Sequence, residues 1–223
     1  MITKISVLPD SKPASILFFK EADLSQFTSK AIPLFGPNGV GKSTLIRAVE
    51  NKELGISIDR PTSFYSYQYS RDNFKVRKPR TYDESFDPAF LNARFDARFI
   101  SEGQSIIYSM FDMLDLLIDD DPVESKKDIV LLLDEIDSGM SIDNIDTTTR
   151  KMKRLIKRRS NIQIIFSFNS PRVLKHFPDV LSMYDGTMIH METDEDMMKV
   201  IRDHKRKFDR ARKNSKGRPK IYD

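Results

Sequence analysis

Gly36-Pro37-Asn38-Gly39-Val40-Gly41-Lys42-Ser43-Thr44 is the stretch that decides how this chain is read. It follows a short apolar run, Ile32-Pro33-Leu34-Phe35, and leads into Leu45-Ile46-Arg47-Ala48-Val49, whose pattern is helical. Strand, glycine-rich turn and helix start therefore come in the order a phosphate-binding loop requires. The glycines let backbone N–H groups curl inward, and the helix N-terminus adds partial positive charge. With every fixed position of the motif filled, the expected ligand is a nucleoside triphosphate with Mg²⁺. Lys42 is expected to reach the β- and γ-phosphates, and the Ser43 hydroxyl to ligate the metal.

The rest of the chain must supply a sheet for that loop. Its 223 residues suit one domain, or one domain with a small appendage. Lys4–Leu8 and Ser15–Phe19 read as short strands joined by Pro- and Ser-containing turns, giving a small antiparallel sheet beside the loop. Phe18 or Phe19 could stack on a base there, although strand aromatics are core by default. Ser63–Tyr69 has strand character, and Arg71–Asp87 reads as loop. Pro88–Phe99 reads as a helix, and Ile106–Ile118 as a buried one. Ile129–Leu133 is an uninterrupted apolar run, which predicts a central parallel strand buried on both faces. A helix over about 142–159, a strand over 162–168, a short helix over 172–177, and a hairpin turning at Asp185-Gly186 complete the pattern. Strands alternating with helices make this an α/β fold with a mainly parallel sheet.

Asp134-Glu135 follows the central strand directly. Carboxylates at a strand end sit where ligands bind in open α/β sheets. Asp134 is placed to hold Mg²⁺ and Glu135 to polarise the attacking water. Elsewhere Asp119-Asp120-Asp121 and Glu192-Asp194-Glu195-Asp196 read as solvated loops, so a second metal centre of nuclease type is not expected.

With no cysteine, disulfides, thiol nucleophiles and cysteine-bound metals are excluded. No window is apolar enough to span a membrane, and Met1–Ile5 does not read as a signal peptide, so a cytoplasmic protein is expected. The net charge is +4, unevenly spread. Between Lys199 and Lys220 the only acids are Asp203 and Asp209. Such a tail suits a polyanion or, equally, a solvated C-terminal helix.

Ile100-Ser101-Glu102-Gly103-Gln104, between the loop and the Asp-Glu strand, resembles the LSGGQ signature of the ABC-type ATPases, with Ile for Leu and Glu for the first Gly. With the phosphate loop and Asp134-Glu135, it makes the span from about Ile32 to Ile189 similar to that family of P-loop NTPases. The resemblance implies a head-to-tail homodimer closing over two Mg-ATP, with Ser101, Gly103 and Gln104 of one chain facing the phosphate loop of the other. It further implies that Gln68 is the Q-loop glutamine, contacting nucleotide and Mg²⁺, and that Ser138-Gly139-Met140-Ser141 is the interface-lining D-loop. One departure stands out. The family's switch histidine is replaced by Asn169 in Phe168-Asn169-Ser170-Pro171. An amide can hydrogen-bond a γ-phosphate but cannot carry a proton at neutral pH, so slow hydrolysis is expected.

About thirty residues separate Gln68 from Ser101, too few for a large helical subdomain or coiled-coil arm. The chain looks most similar to compact, free-standing soluble ATPases of RecF/SMC-like type. The expected organisation is an ATPase domain over 1–201, with a short helical signature region, and a basic tail over 202–223. Its expected partners are a separate effector protein, or a DNA or RNA backbone met by Arg150-Lys151, Lys153-Arg154, Lys157-Arg158-Arg159 and the tail. The alternative is the ATP-binding subunit of a transporter whose permease is encoded separately.

Overall fold

A computed structural model describes residues 1–58, 62–68, 114 and 128–214, with backbone alone for 62–68 and 207–214. The strands are β1 (Ile2–Ser6), β2 (Glu21–Asp23), β3 (Ala31–Phe35), β4 (Gly55–Ile58), β5 (Thr62–Gln68), β6 (Asp128–Asp134), β7 (Ile162–Ser167), β8 (Asp179–Ser182) and β9 (Met188–His190). The helices are α1 (Lys42–Glu50), α2 (Ile142–Arg158) and α3 (Asp194–Asn214). Of the expected buried helix over 106–118, only Leu114 is described; it is helical and fully buried. The expected loop over 71–87 and helix over 88–99 lie outside the described residues.

The main sheet runs β5-β6-β7-β3-β8-β9, parallel throughout except for β9, which pairs antiparallel with β8. The apolar run of β6 explains its central position. Ile129, Leu131 and Leu133 enter the core on one face, and Val130 and Leu132 enter the core on the other. Alternation along a strand sends neighbours to opposite faces, so the middle of β6, covered on both sides, is apolar at every position. Helix α1 packs Leu45, Ile46, Ala48 and Val49 into one of these cores, and α2 packs Ile145, Met152 and Leu155 into the other.

Pro33 is tolerated inside β3 because β8 pairs with that strand only at Leu34 and Phe35, so the missing N–H costs no ladder bond on that side. The strand order matters for the chemistry. β7 lies between the strand leading to the phosphate loop and the strand ending in Asp134, which brings the end of β7 into the site.

The small antiparallel sheet, β2-β1-β4, is present, but its composition differs from the sequence expectation. Ser15–Phe19 is not a strand. Lys12–Ser15 forms a 3-10 turn with Pro13 at its second position, and the Ile16 and Leu17 N–H groups donate to the Pro13 carbonyl. Leu17 and Phe19 are buried while Phe18 stays 38% exposed. The period-two pattern there thus reports burial against a neighbouring segment rather than pairing. Glu21–Asp23 and Gly55–Ile58 supply the strands instead. The buried Gln163 side chain of β7 stitches this sheet to the main one. It accepts from Ile2 N–H at 2.8 Å and donates to the Ile2 carbonyl at 2.9 Å, reproducing a strand's own hydrogen-bond pair.

The acids at 192–196 are also not a simple solvated loop. Thr193 Oγ1 accepts from Asp196 N–H at 3.1 Å, and the Asp196 carboxylate accepts from Thr193 N–H at 3.0 Å, a capping box that starts α3. That helix runs without a break across residues 201 and 202. Met197, Val200 and Ile201 pack on the core, and the His204 ring stacks on Tyr184 with centroids 3.9 Å apart. Among the described residues, no helix is long and apolar enough to cross a membrane.

Candidate active site

The phosphate loop turns where its glycines permit. Gly41 caps α1 at φ +100°, a left-handed conformation that strains any other residue, and a Cβ there would meet Leu17 Cδ2 at 3.0 Å. At Gly36 an added Cβ would lie 2.6 Å from Val40 Cγ1. Asn38 and Gly39 are exposed at the tip, Val40 is buried beneath it, and Thr44 lies half-buried in the first turn of α1.

Lys42 opens that helix with only 6% of its surface exposed. Its ammonium donates to the Gly36 carbonyl at 2.7 Å, the Pro37 carbonyl at 3.4 Å and Asn169 Oδ1 at 3.2 Å. Burial pushes its pKa below the ordinary lysine value, while the charges of Glu135, Asp137 and Asp134 pull it back up. A cation so placed, with three acids close by and its donors resting on neutral oxygens, is suited to an incoming polyphosphate.

Asp134 ends β6 with 4% exposure. Its Oδ1 accepts from Ser43 Oγ at 3.0 Å and from Ser167 Oγ at 2.6 Å. Hydroxyl and carboxylate oxygens at one point form a hard-donor pair of the kind Mg²⁺ takes when phosphates complete its shell. Among the described residues, no group of three His, Asp or Glu side chains could hold a metal by itself. The oxygen set at Ser43 and Asp134 fits a metal that arrives with its nucleotide.

At Glu135 the chain turns with φ +50°, unusual for a side-chain-bearing residue. Ser167 Oγ fixes that turn by accepting Glu135 N–H at 2.6 Å. The turn explains how two consecutive residues, which alternate along a strand, can both serve one site. It continues through Asp137 and Gly139 to Ser141, whose hydroxyl caps α2.

Asn169 follows β7 and meets Lys42 directly, as its sequence position suggests. Gln68 pairs in register with Asp134, which sets its backbone beside the end of β6. Ser101, Gly103 and Gln104 lie outside the described residues. Phe19 is core, and Phe18 is 38% exposed.

Two participants went unnoticed in the sequence, Ser167 and Asp137. Ser167 bridges Asp134 and Glu135, and the Asp137 carboxylate accepts from the N–H groups of Asn169, at 2.8 Å, and Ser170. Their signals were faint: the first polar residue closing an apolar strand, and a third acid two places after Asp134-Glu135. Further along, Asp146 of α2 gathers Arg172 at 3.5 Å, Lys175 at 3.7 Å and His176 at 3.5 Å. The His176 contact is too long for a hydrogen bond, and burial holds that imidazole below its usual pKa.

No match was found to the chain among curated proteins. A family model does match, that of the ATPase family associated with various cellular activities (AAA), over residues 32–176. That span begins in β3 and ends just past the 3-10 turn Pro171–Lys175, and so contains the phosphate loop, Asp134-Glu135 and Asn169. A chain with this loop, this carboxylate pair and this match over most of its length is a P-loop ATPase, and it belongs to the AAA family.

Proposed function

We propose that this chain is an ABC-type, RecF/SMC-like ATPase that closes head to tail as a homodimer over two Mg-ATP and transmits that closure to an effector. The observation that carries the reading is the convergence of three strand ends in two contacts, Lys42 on Asn169 Oδ1 at 3.2 Å and Ser43 on Asp134 Oδ1 at 3.0 Å. Gly36 to Thr44 bind the phosphates, with Lys42 as the cation on the transferred group. Ser43, Asp134 and Gln68 hold Mg²⁺, which, when bound, neutralises charge developing on the phosphates. Glu135 orients and deprotonates the attacking water. The Asn169 amide contacts the γ-phosphate; lacking an ionisable proton, it leaves turnover slow. No faster turnover in Asn169→His would leave that last point without support.

Dimerisation rests on two features. One is the signature-like Ile100–Gln104. The other is the turn from Ser138 to Ile142, where Ile142 stands 61% exposed at the start of α2. An isoleucine so placed is an economical interface residue. The exposed Arg150, Lys153, Arg154 and Lys157 of α2, with Arg202, Lys205 and Arg206 of α3, favour nucleic acid as the surface on which the effector works. A cytoplasmic location goes with that partner.

One preparation tests both parts. The Glu135→Gln variant with Mg-ATP should double its solution mass, and Ile142→Asp added to it should restore the monomer with ATP still bound. The ATP-bound form should then shift a DNA or RNA duplex at low salt and release it as salt rises. A monomer that binds ATP would overturn the sandwich. Copurification with membranes in place of a gel shift would favour the transporter subunit.

A further inference from the structure

The turn after β6 carries an acid with no assigned role. Asp137 is 8% exposed, and its side-chain hydrogen bonds among the described residues are to backbone N–H groups. One oxygen, Oδ2, accepts from the backbone N–H groups of Asn169 and Ser170, 32 and 33 residues away in sequence. The other, Oδ1, is buried without a hydrogen-bond partner among the described residues. What the Oδ2 acceptor secures is the position of the segment that follows β7. Asn169 is exposed at its tip, and its side chain rests on Lys42 Nζ at 3.2 Å. Among the described residues, that contact and the two backbone bonds to Asp137 anchor Asn169 and Ser170 to the phosphate side of the sheet.

We propose that Asp137 is a positioning residue for ATP hydrolysis: its buried carboxylate clamps the Asn169–Ser170 backbone to the turn after β6, and so holds the Asn169 amide beside Lys42. The clamp joins the ends of two adjacent strands, β6 and β7, whose last residues supply the site. Asp137 acts through Asn169 and does not touch the nucleotide. The inference rests on the reading that Asn169 serves the γ-phosphate.

The test is a double-mutant cycle in the full chain, with steady-state hydrolysis and Mg-ATP affinity measured separately. Asp137→Ala should lower kcat by roughly ten- to hundredfold, as expected of a small displacement of a reacting-site group, and leave the Kd for Mg-ATP unchanged. Asp137→Asn keeps an acceptor oxygen in place and should retain kcat to within about fivefold. On the Asn169→Ala background, Asp137→Ala should cost no more than about a further twofold. Should the alanine variant be too unstable to purify, Asp137→Glu, which displaces both oxygens by a methylene, stands in for it in the same cycle.

Losses that add across the two sites, or an Asp137→Asn variant as impaired as Asn169→Ala, would overturn the clamp. So would a fall in ATP affinity matching the fall in kcat. A different failure is recognisable by itself: Asn169→Ala with wild-type kcat would remove the γ-phosphate reading, and the clamp with it.

Discussion

Replacing Glu135 by Gln should lower steady-state ATP turnover by roughly 10²–10⁴-fold while leaving nucleotide binding intact. The two side chains have the same shape, so the effect isolates the carboxylate's ability to take a proton. The backbone at 135 is held at φ +50° by the Ser167 hydroxyl, which accepts the main-chain N–H and is indifferent to the side chain. Nothing in the substitution should therefore disturb Asp134, which shares Ser167 as a partner. Glu135 is also the strongest of the three carboxylate influences that raise the pKa of Lys42. Removing its charge leaves the ammonium freer to attend to phosphate, so ATP should be held at least as firmly as in the wild type. A nucleotide-release assay and a single-turnover experiment would separate the two effects. If the variant kept more than about a tenth of wild-type turnover, Glu135 could not be the base.

Much of this arrangement was legible in the sequence because it rests on local rules. The phosphate loop is contiguous, its glycines are demanded by backbone geometry, and Lys42 and Ser43 follow from their place in the motif. Ile129–Leu133 announced a strand buried on both faces, and it lies between two cores. Ser15–Phe19 misled for a physical reason. Alternation records which side chains are buried, and Leu17 and Phe19 are, but Pro13 lies in a 3-10 turn and, among the described residues, no strand pairs with Ser15–Phe19. The contacts that finish the site are non-local. Ser167 meets Asp134 33 residues away, and Asp137 meets Asn169 32 residues away, because β7 pairs beside β6 in one particular register. A one-residue slip would turn Ser167 to the other face. Such residues have no sequence signature of their own; strand order selects them.

Lys42→Ala should cut the nucleotide response of the protein to half or less without unfolding it. In the ATP-free chain the ammonium satisfies the Gly36 and Pro37 carbonyls and Asn169 Oδ1, at 2.7, 3.4 and 3.2 Å. Burial already disfavours its charged form, so truncation relieves that cost even as it removes a cation from Asp134, Glu135 and Asp137. The two effects oppose each other, and the ATP-free melting temperature should move little. Binding is different, because charge-assisted hydrogen bonds to phosphate have no replacement in the variant. A loss of about 1.5–3 kcal/mol corresponds to a Kd for Mg-ATP raised roughly ten- to more than a hundredfold. Turnover should fall by roughly 10²–10³-fold, since the same charge is needed more as the transferred group separates. Thermal melts show both at once. At about 100 times its Kd, Mg-ATP adds about 2.7 kcal/mol to the stability of the wild type, enough for a rise of roughly 5–10 °C in Tm. The same nucleotide concentration should stabilise Lys42→Ala by only about 0.3–1.3 kcal/mol, so that its Tm rises by half the wild-type shift or less. Lys42→Arg should not restore the response, because a planar guanidinium does not fit where a point charge sits on two loop carbonyls. Equal stabilisation of wild type and Lys42→Ala would mean that the phosphates bind away from this loop, and the roles given to Ser43, Asp134 and Asn169 would fall with it.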